Sequence, residues 1–303
     1  MQSHLYERIG GAVIVMPWLP LALLTALLAA ASDALTKAFL RPLGTFKMAA
    51  GRVLGPIPFL FPLLLFQHWP SLDKVFWEAL SALLPLETAA LILYMEAIRV
   101  SPLSLTVPFL SFSPAFMILT GAAILGERLS VQGILGIFFI VIGSYMLHIK
   151  SVGAGWFAPI SAIIRERGSI LMLGVAFLYA ITSVLGKLAI RHSSPLFFAS
   201  FYFVAHGVFA GLFLAIFFRI RPWVLVYECP KGIFWVGLSQ AMMVIFHMWA
   251  ISLAPAAYMI AVKRLSVLFG VVFGYLFFKE RDLASRLFGA TLMAGGVFII
   301  AFS

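Results

Sequence analysis

The feature that most constrains this chain is a series of long apolar segments separated by short connections. Ten segments of about 19 to 23 residues can be marked along the 303 residues, and a helix of that length crosses the hydrocarbon core of a bilayer. Because 63% of the residues are hydrophobic and only 11% are charged, a soluble globular domain is excluded. We predict an all-α polytopic membrane protein with ten transmembrane helices. These spans cover approximately residues 17–38, 48–66, 77–98, 103–125, 131–149, 169–190, 196–218, 232–252, 256–278 and 284–302.

The two halves of the chain repeat each other. A shift of 153 positions aligns the fourth span with the ninth without a gap, matching Pro102 with Pro255 and Glu127 with Glu280, and a shift of 150 aligns the first span with the sixth. Each copy has an odd number of spans, so the second copy enters the membrane from the opposite side. Inverted repeats are typical of secondary transporters, whose substrate site lies near the midplane. The predicted organisation is a first five-helix repeat at 1–150, a linker at 151–168 and a second five-helix repeat at 169–303.

The ninth span carries the adjacent pair Lys263 and Arg264 inside an apolar stretch. Lys263 lies about 11 Å along a helix of about 34 Å, too deep to reach water easily. Each such charge costs on the order of 3 kcal/mol on insertion scales. The pair therefore predicts a water-filled cavity that accepts a phosphate or carboxylate group. Adjacent side chains point about 100° apart, so we expect only one to face the cavity squarely. The alternative is that one of them pairs with a buried carboxylate and fixes helix packing.

Both halves place polar side chains at matching depths in the third and eighth spans. Glu87 corresponds to Gln240, and Tyr94 corresponds to His247. All four are candidate substrate contacts. A carboxylate inside a membrane is a common carrier of protons, so Glu87 is also the candidate for proton coupling. The alternative role for Glu87 is that of structural counter-ion to Lys263, Arg264 or Lys37.

Two lysines occupy equivalent places near the ends of the first and sixth spans, Lys37 and Lys187. They are candidate contacts that hold the substrate alternately. A structural role is favoured for both, because each is close enough to a loop to extend to the interface. Asp33 is the expected partner of Lys37 at the i, i+4 spacing.

Glycines mark the expected helix contacts. Gly270 and Gly274 form a GxxxG pattern, and Gly289, Gly295 and Gly296 give the tenth span a face of small residues. Small residues let helices approach closely, so we predict tight packing within the molecule.

Two stretches carry a resemblance to a known family. The residues YMEAIRVSPLSLTVPFLSFSPAFMILTGAAILGERLS and their counterpart MWAISLAPAAYMIAVKRLSVLFGVVFGYLFFKERD resemble the drug/metabolite transporter superfamily of the EamA type. The most specific parts are the small residue and proline before the fourth and ninth spans and the Glu-Arg pair that closes each. The resemblance covers essentially the whole chain. It implies ten helices around a central cavity, with the fifth and tenth more peripheral, and a permease for small organic metabolites.

The VKR sequence at 262–264 also resembles the Lys-Arg pair of triose-phosphate translocators. In that family the pair holds a phosphate group, and a further basic residue lies on the fourth helix. The equivalent stretch here, PFLSFSP, offers only Ser111 and Ser113. We therefore expect an anionic group on the substrate without specifying phosphate.

Other classes of function are not supported by the residues. Cys229 is the only cysteine, which excludes an intramolecular disulfide. No pair of histidines has metal-ligand spacing with a carboxylate, so we expect no metal site and no cofactor. The net charge of +10 reflects basic loops, so we expect no nucleic-acid partner. The chain lacks the clustered polar residues and the large loop of an intramembrane enzyme, and we predict that it is not an enzyme.

The predicted function is secondary active transport of a small organic metabolite, anionic through a phosphate or carboxylate, in the cell (inner) membrane. The alternative is export of amino acids or of aromatic or cationic drugs by the same fold, with an intramembrane lipid-modifying enzyme as a remote alternative. The expected partners are the substrate, the bilayer and a proton as coupling ion, and a homodimer is left open.

The orientation of the chain is not settled by the sequence. The odd-numbered loops are those that join the first span to the second, the third to the fourth, and so on. They hold 13 Lys and Arg residues, whereas the termini and the other loops hold four. The positive-inside rule therefore places both termini outside the cytoplasm. The family resemblance implies that both termini are inside.

Overall fold

The computed structural model describes residues 17–100, 107–149, 167–269 and 283–303, which are helical apart from short connections and contain no strand. A π-helical turn at Thr36–Leu40 continues the first α-helix, and 3-10 helices occupy Arg41–Leu43 and Val107–Phe112. The α-helices are α1 (Trp18–Leu35), α2 (Thr45–Leu54), α3 (Ile57–Phe66), α4 (Lys74–Val100), α5 (Ser113–Leu125), α6 (Val131–Ile149), α7 (Arg167–Arg191), α8 (Pro195–Phe218), α9 (Pro222–Glu228), α10 (Pro230–Leu253), α11 (Ala256–Lys263) and α12 (Leu283–Ala301).

Six helical stretches of the described residues are long and apolar enough to cross a membrane. They are Trp18–Leu40, Phe46–Phe66, Lys74–Tyr94, Arg167–Arg191, Pro195–Phe218 and Pro230–Leu253. Three shorter apolar stretches follow at Phe109–Leu125, Val131–Met146 and Phe288–Ala301. The prediction of an all-helical polytopic membrane protein is confirmed. The count of ten spans stays a prediction, because the six long stretches do not reach it and the ninth span runs beyond the described residues.

The helices of the two halves contact each other in matching pairs. α4 packs on α7 and α1 packs on α10, while α5 packs on α7 and α1 packs on α11. The shifts of 150 and 153 relate α1 to α7, α4 to α10 and α5 to α11. Each contact is therefore the repeat counterpart of another, as expected of two equivalent halves.

The helices α6 and α12 meet along a line of glycines. A Cβ atom added at Gly136 would lie 2.8 Å from the carbonyl oxygen of Gly296, and one added at Gly143 would lie 2.7 Å from that of Gly289. The backbones can approach this closely only because neither helix has a side chain there. This agrees with the predicted tight packing for Gly289 and Gly296. Gly295 instead faces open space.

The ninth span differs from the prediction of one continuous helix. α11 ends at Lys263, a turn follows at 264–265, and helical structure resumes at 266–269. The N–H of Leu265 donates to the carbonyl of Val262 at 2.9 Å, a three-residue spacing typical of a tightened turn. The predicted continuous helix is therefore wrong at this point. The glycines at 270 and 274 lie outside the described residues.

The glycine contact between α6 and α12 predicts a position-specific loss of stability. We expect Gly296→Ala to lower the free energy of unfolding by about 1–3 kcal/mol, because its Cβ would lie 2.6 Å from the carbonyl oxygen of Gly136. The matched control is Gly295→Ala on the same helix, which should be neutral or slightly stabilising since alanine is the better helix former. Melting temperatures of the purified variants measure both. Equal melting temperatures for the two variants would contradict the close contact.

Candidate functional site

A cavity of about 230 Å³ lies between the two halves of the protein. Its walls come from α1, α2, α4, α7, α8, α10 and α11. Six of the predicted site residues line it together, namely Glu87, Tyr94, Gln240, His247, Lys263 and Arg264. Lys187 also reaches the cavity wall. The side chain of Lys37, the remaining candidate, lies outside the described part of the chain.

Residues that are equivalent in the two repeats line this cavity in pairs. At the shift of 153, the pairs are Glu87 with Gln240, Leu91 with Val244, Tyr94 with His247, and Leu110 with Lys263. The two halves thus contribute the same positions to one cavity with different side chains. In particular, the first repeat places an apolar leucine where the second has Lys263, so the two walls are chemically unequal.

The adjacent cations Lys263 and Arg264 both face the cavity but differ in their contacts. The Arg264 guanidinium donates through Nη2 to Oγ of Ser113 at 2.5 Å, which links α11 to the start of α5 in the other half. In the described part of the chain, the Lys263 ammonium has no hydrogen-bond partner and no carboxylate within 4.0 Å. Arg264 thus has a partner in the protein, and Lys263 has none among the described residues.

Glu87 lies near the middle of α4 and is only partly covered by its neighbours. Its carboxylate is within hydrogen-bonding reach of Thr182 on α7, and it attracts Lys263 across the cavity. Among the described residues, no Lys, Arg or His nitrogen comes within 4.0 Å of it. Glu87 and Lys263 therefore do not form a direct ion pair here, and the side chain of Lys37, another partner in the counter-ion alternative, lies outside the described residues.

An ion pair at the cavity wall is not predicted from the sequence. Arg52 on α2 donates from Nη2 to Oδ1 of Asp33 at 2.6 Å, and both residues line the cavity. From the sequence, Arg52 is one of the 13 basic residues assigned to the odd-numbered loops, and Asp33 is expected to pair with Lys37. A signal for the pair is present in the sequence, because the two residues lie at similar depths in consecutive antiparallel spans, and a carboxylate in a span needs a partner.

Polar atoms without partners are directed toward this cavity. His206 and His247 are 5% and 8% exposed, yet Nε2 of His206, Nδ1 of His247 and Nε of Arg264 have no hydrogen-bond partner among the described residues. Buried polar atoms are normally paired, so three unpaired ones in the same place suggest that something else completes them. All three residues line the cavity, but these atoms themselves have almost no accessible surface, so a ligand in the cavity would meet them only after the side chains move.

The side chains of α8 form an aromatic stack along the wall. The rings of Phe198 and Tyr202 stack at 5.1 Å, and those of Tyr202 and His206 stack at 5.7 Å. These residues are one helical turn apart, and all three line the cavity. The stack holds the His206 imidazole in place. It also keeps the wall apolar between the hydroxyl of Tyr202 and the ring nitrogens of His206. Tyr202 is not predicted by the sequence, because aromatic residues are frequent in membrane spans and its position carries no distinguishing pattern.

Lys187 is held by structural partners at one end of the cavity. Its ammonium donates to Oε1 of Glu127 at 2.5 Å and to the backbone carbonyl of Ala254. The second carboxylate oxygen of Glu127 accepts the N–H of Ala256 at 3.0 Å, at the start of α11. The lysine and glutamate side chains are only 6% and 9% exposed. We call Lys187, Glu127, Ala254 and Ala256 the end seal, and it joins α5, α7, α10 and α11.

The end seal lies after the last residue of α10, whereas the Asp33–Arg52 pair lies nearer its middle, because Oγ of Ser32 donates to Oε1 of Gln240 at 2.9 Å. The chain before α10 contacts the end of the first span, because Sγ of Cys229 donates to the carbonyl of Phe39 at 3.5 Å. The carbonyl of Ala254, after the last residue of α10, accepts from Lys187. The 24 residues of α10 separate these points by about 36 Å. Asp33 is 53% exposed in its side chain, whereas Lys187 and Glu127 are 6% and 9% exposed, so the cavity is more accessible beside Asp33 than at the seal.

A surface contact reinforces the closed end. Oδ2 of Asp73 lies 2.6 Å from Nδ1 of His192, which ties the connection before α4 to the connection after α7. Oδ1 of Asp73 accepts the N–H of Phe76 at 3.0 Å. These contacts hold the pKa of the Asp73 carboxyl below its usual value, mainly through the hydrogen bond from Phe76 and then through His192. The carboxylate therefore stays charged, and the contact intact, through the neutral range.

Comparisons with known proteins agree with this architecture. The EamA-like transporter family matches residues 16–149 and 166–302. An uncharacterized transporter of Methanothermobacter thermautotrophicus is 27% identical over 188 residues, which are 61% of this chain and 52% of that protein. The chain thus spans about half the length of this curated relative. A protein of known crystal structure has the same fold, with a TM-score of 0.66, 14% identity and coverage of 95% of this chain and 96% of that one.

The end seal predicts that Glu127→Gln destabilises the protein. Removing the charge leaves the Lys187 ammonium buried without its counter-ion, and breaking a buried ion pair costs about 3–5 kcal/mol. The matched control is Glu78→Gln, since Glu78 forms an i, i+4 pair with Lys74 at 3.2 Å but is 62% exposed, and exposed pairs contribute less than about 1 kcal/mol. Thermal unfolding of both purified variants is the measurement. A melting temperature for Glu127→Gln no lower than that of Glu78→Gln would show that the seal carries no such energy.

Proposed function

Because the chain belongs to the EamA-like transporter family, we propose that it is a secondary transporter of a small organic metabolite that carries a phosphate or carboxylate group. In this proposal it works by alternating access in the cell (inner) membrane. Ten spans in two inverted five-helix halves would enclose the site, and the two halves would rock against each other around it.

One observation carries the anionic part of this proposal. Four cations line the described cavity, and three of them have partners: Arg52 binds Asp33, Arg264 binds Ser113, and Lys187 binds Glu127. Lys263 is the cavity-lining cation without a partner among the described residues. An unpaired ammonium at this depth is costly, and an anionic group on the substrate would remove that cost.

The groups around Lys263 also suit an anion. Among the described residues, Nε of Arg264 and Nδ1 of His247 have no hydrogen-bond partner, and His247 lies beside the same charges. The Lys263 ammonium and the Arg264 guanidinium can donate several hydrogen bonds to one phosphate or carboxylate group, and His247 adds one when its Nδ1 carries the proton. A substrate with only a positive charge is less favoured, because lining cations outnumber the lining carboxylates, Asp33 and Glu87, in the described cavity.

The size and asymmetry of the cavity support transport of a small compound. A volume of about 230 Å³ is below the usual range for drug-sized ligands, about 300–1,000 Å³. The cavity is more accessible beside the Asp33–Arg52 pair than at the end seal, and this arrangement would correspond to one of the two states that alternating access requires.

The test is uptake by proteoliposomes that contain the purified protein. We expect Lys263→Met to weaken binding and uptake of carboxylates and organic phosphates by about 10- to 100-fold, the value of a lost charge-assisted hydrogen bond. Lys231→Met is the matched control, because Lys231 is an exposed cation at the start of α10. Anion uptake that survives Lys263→Met would contradict the assignment, provided that the variant keeps the parental melting temperature.

Proton coupling is proposed at Glu87, the lining carboxylate without a basic partner in the described structure. A carboxylate in a membrane-embedded cavity can gain or lose a proton as the cavity opens to either side. An imposed pH gradient should therefore drive uptake by the parental protein and should have no effect on Glu87→Gln. A gradient response that is the same in both would assign the coupling to another group.

A further inference from the structure

Two arginines, two positions apart, lie on the surface of the protein where α8 ends. α8, Pro195–Phe218, is long and apolar enough to cross a membrane, and Arg219 and Arg221 follow it directly. Charged residues at the end of a span lie at the level of the lipid headgroups. Both arginines are exposed, and neither is part of the described cavity. They belong to the outer surface of the protein and not to the candidate substrate site.

Neither arginine is neutralised within the described residues. No carboxylate of the described part lies within 4.0 Å of Arg219 or Arg221. The carboxylate of Glu228, at the end of α9, is bound instead by Lys47 of α2, whose ammonium donates to its two oxygens at 2.7 and 2.8 Å. Two uncompensated positive charges therefore remain beside α9.

The backbone at Arg219 has a conformation that normally favours glycine. Its φ of 54° lies in the left-handed region, and it is the one non-glycine residue with a positive φ in the described part of the chain. The N–H of Ile220 donates to the carbonyl of Leu214 at 3.4 Å, a bond typical of this kind of helix end. α5 ends in the same way, but with Gly126 at φ 65°. An arginine at such a position is strained relative to glycine, which indicates a function for its side chain.

The surface of α8 next to these arginines is exposed and apolar. Leu212, Ile216 and Phe217, on the last two turns of α8, are 58%, 70% and 66% exposed. Because α8 is long enough to span a bilayer, acyl chains cover this face in the membrane. On α9, Tyr227 is 84% exposed, and tyrosines are enriched at the level of the headgroups. The surface thus offers an apolar strip for acyl chains that ends at two unpaired cations.

The segment that carries the two arginines is fixed at both ends. The rings of Phe218 and Phe46 stack at 4.2 Å, which holds the end of α8 against α2. Leu225 of α9 is 2% exposed, and α9 packs on α2 and α10. The Cα atoms of residues two positions apart are separated by at most about 7 Å. Both guanidinium groups can therefore bind one phosphate group without a rearrangement of the backbone.

We propose that Arg219 and Arg221 form a binding site for an anionic phospholipid of the surrounding bilayer. The lipid phosphate accepts hydrogen bonds from the two guanidinium groups, whose planar geometry matches two phosphate oxygens. An acyl chain lies along Ile216 and Phe217. A headgroup with a net negative charge is preferred to phosphatidylcholine, because the choline cation offsets the phosphate charge that attracts the arginines. This site goes beyond the proposed transport function and does not depend on it.

The test is lipid binding to the purified full chain in a neutral detergent, measured by native mass spectrometry. The protein is titrated with phosphatidylglycerol or with phosphatidylcholine of the same acyl chains, so that only the headgroup differs. Each basic residue near an anionic headgroup favours binding by about fivefold, so we expect the first phosphatidylglycerol to bind roughly 30-fold more tightly. The double substitution Arg219→Gln and Arg221→Gln should remove this preference. Equal affinities of the parental protein for the two lipids would overturn the proposal.

The matched control is Arg128→Gln at the other end of the protein. Arg128 is also an exposed cation that follows a helix and has no ion pair among the described residues. It lies next to the end seal, which follows α10, whereas α9 precedes α10. Arg128→Gln should therefore keep the preference for phosphatidylglycerol. An equal loss of preference in this variant would show a general attraction to net charge, and the assigned site would be wrong.

The substitution Arg219→Gly separates lipid binding from folding. Glycine adopts the left-handed conformation without strain, so the melting temperature without added lipid should equal or exceed the parental value. The preference of this variant for phosphatidylglycerol should fall about fivefold, because one cation is lost. If Arg219→Gly keeps the full preference, the arginine acts only as a helix cap and the proposal fails.

Discussion

The cost of placing a charge inside the hydrocarbon layer determines how the parts of this protein fit together. Each charge in a span must meet a partner or face water, since an isolated ion there is strongly destabilising. The partners come from distant parts of the sequence: Arg52 meets Asp33 across the first hairpin, and Lys187 meets Glu127 from the other half. These pairs align α1 with α2 and α7 with α5. Lys263 and Glu87 line the described cavity without a direct ion-pair partner among the described residues, and the proposed function assigns them to the substrate and the coupling proton.

Much of the architecture could be predicted from the sequence, because two of its signals are strong. Apolar segments long enough to cross a bilayer are unmistakable in composition, and the repeat aligns without gaps over the fourth and ninth spans. The same alignment identified Glu87 with Gln240 and Tyr94 with His247 as equivalent positions, and all four line the cavity. A deep lysine beside an arginine was also visible, since charged side chains inside a span are rare and usually face a cavity or a partner.

The parts that could not be predicted depend on three-dimensional packing. Arg52 looks like a loop residue in the sequence, because a charge near the start of a span has the same pattern whether it faces the headgroups or a cavity. The Lys187 partners, Glu127 and the backbone of Ala254, lie 60 and 67 positions away, beyond the reach of any local pattern. Tyr179 and Tyr202 could not be distinguished from the many aromatic residues that face lipid. Only the folded packing of α7 and α8 brings them to the cavity.

The interruption of the ninth span has a physical reason and a counterpart in the first half. The turn after Lys263 corresponds, at the shift of 153, to the end of the 3-10 helix Val107–Phe112. Irregular backbone at membrane depth is tolerated where it lines a cavity and its polar groups find other partners. Here the tightened turns bond three residues back, so the break leaves few orphaned groups. Because no proline or glycine lies at 263–266, the sequence had no conventional signal for it.

The end seal sets a condition on any transport cycle in this protein. Opening the closed end must break the Lys187–Glu127 pair and the backbone bonds that accompany it. In a dry core, the free energy lost by separating these ions would be prohibitive. At the end of a cavity, incoming water hydrates the separated ions and offsets much of that loss. Two conformations of a protein typically differ by a few kcal/mol, and a ligand that binds one of them better can then shift the populations. A seal made of ions close to water can therefore keep one end closed and still open during a cycle. A seal of packed apolar side chains would gain no such offset from incoming water.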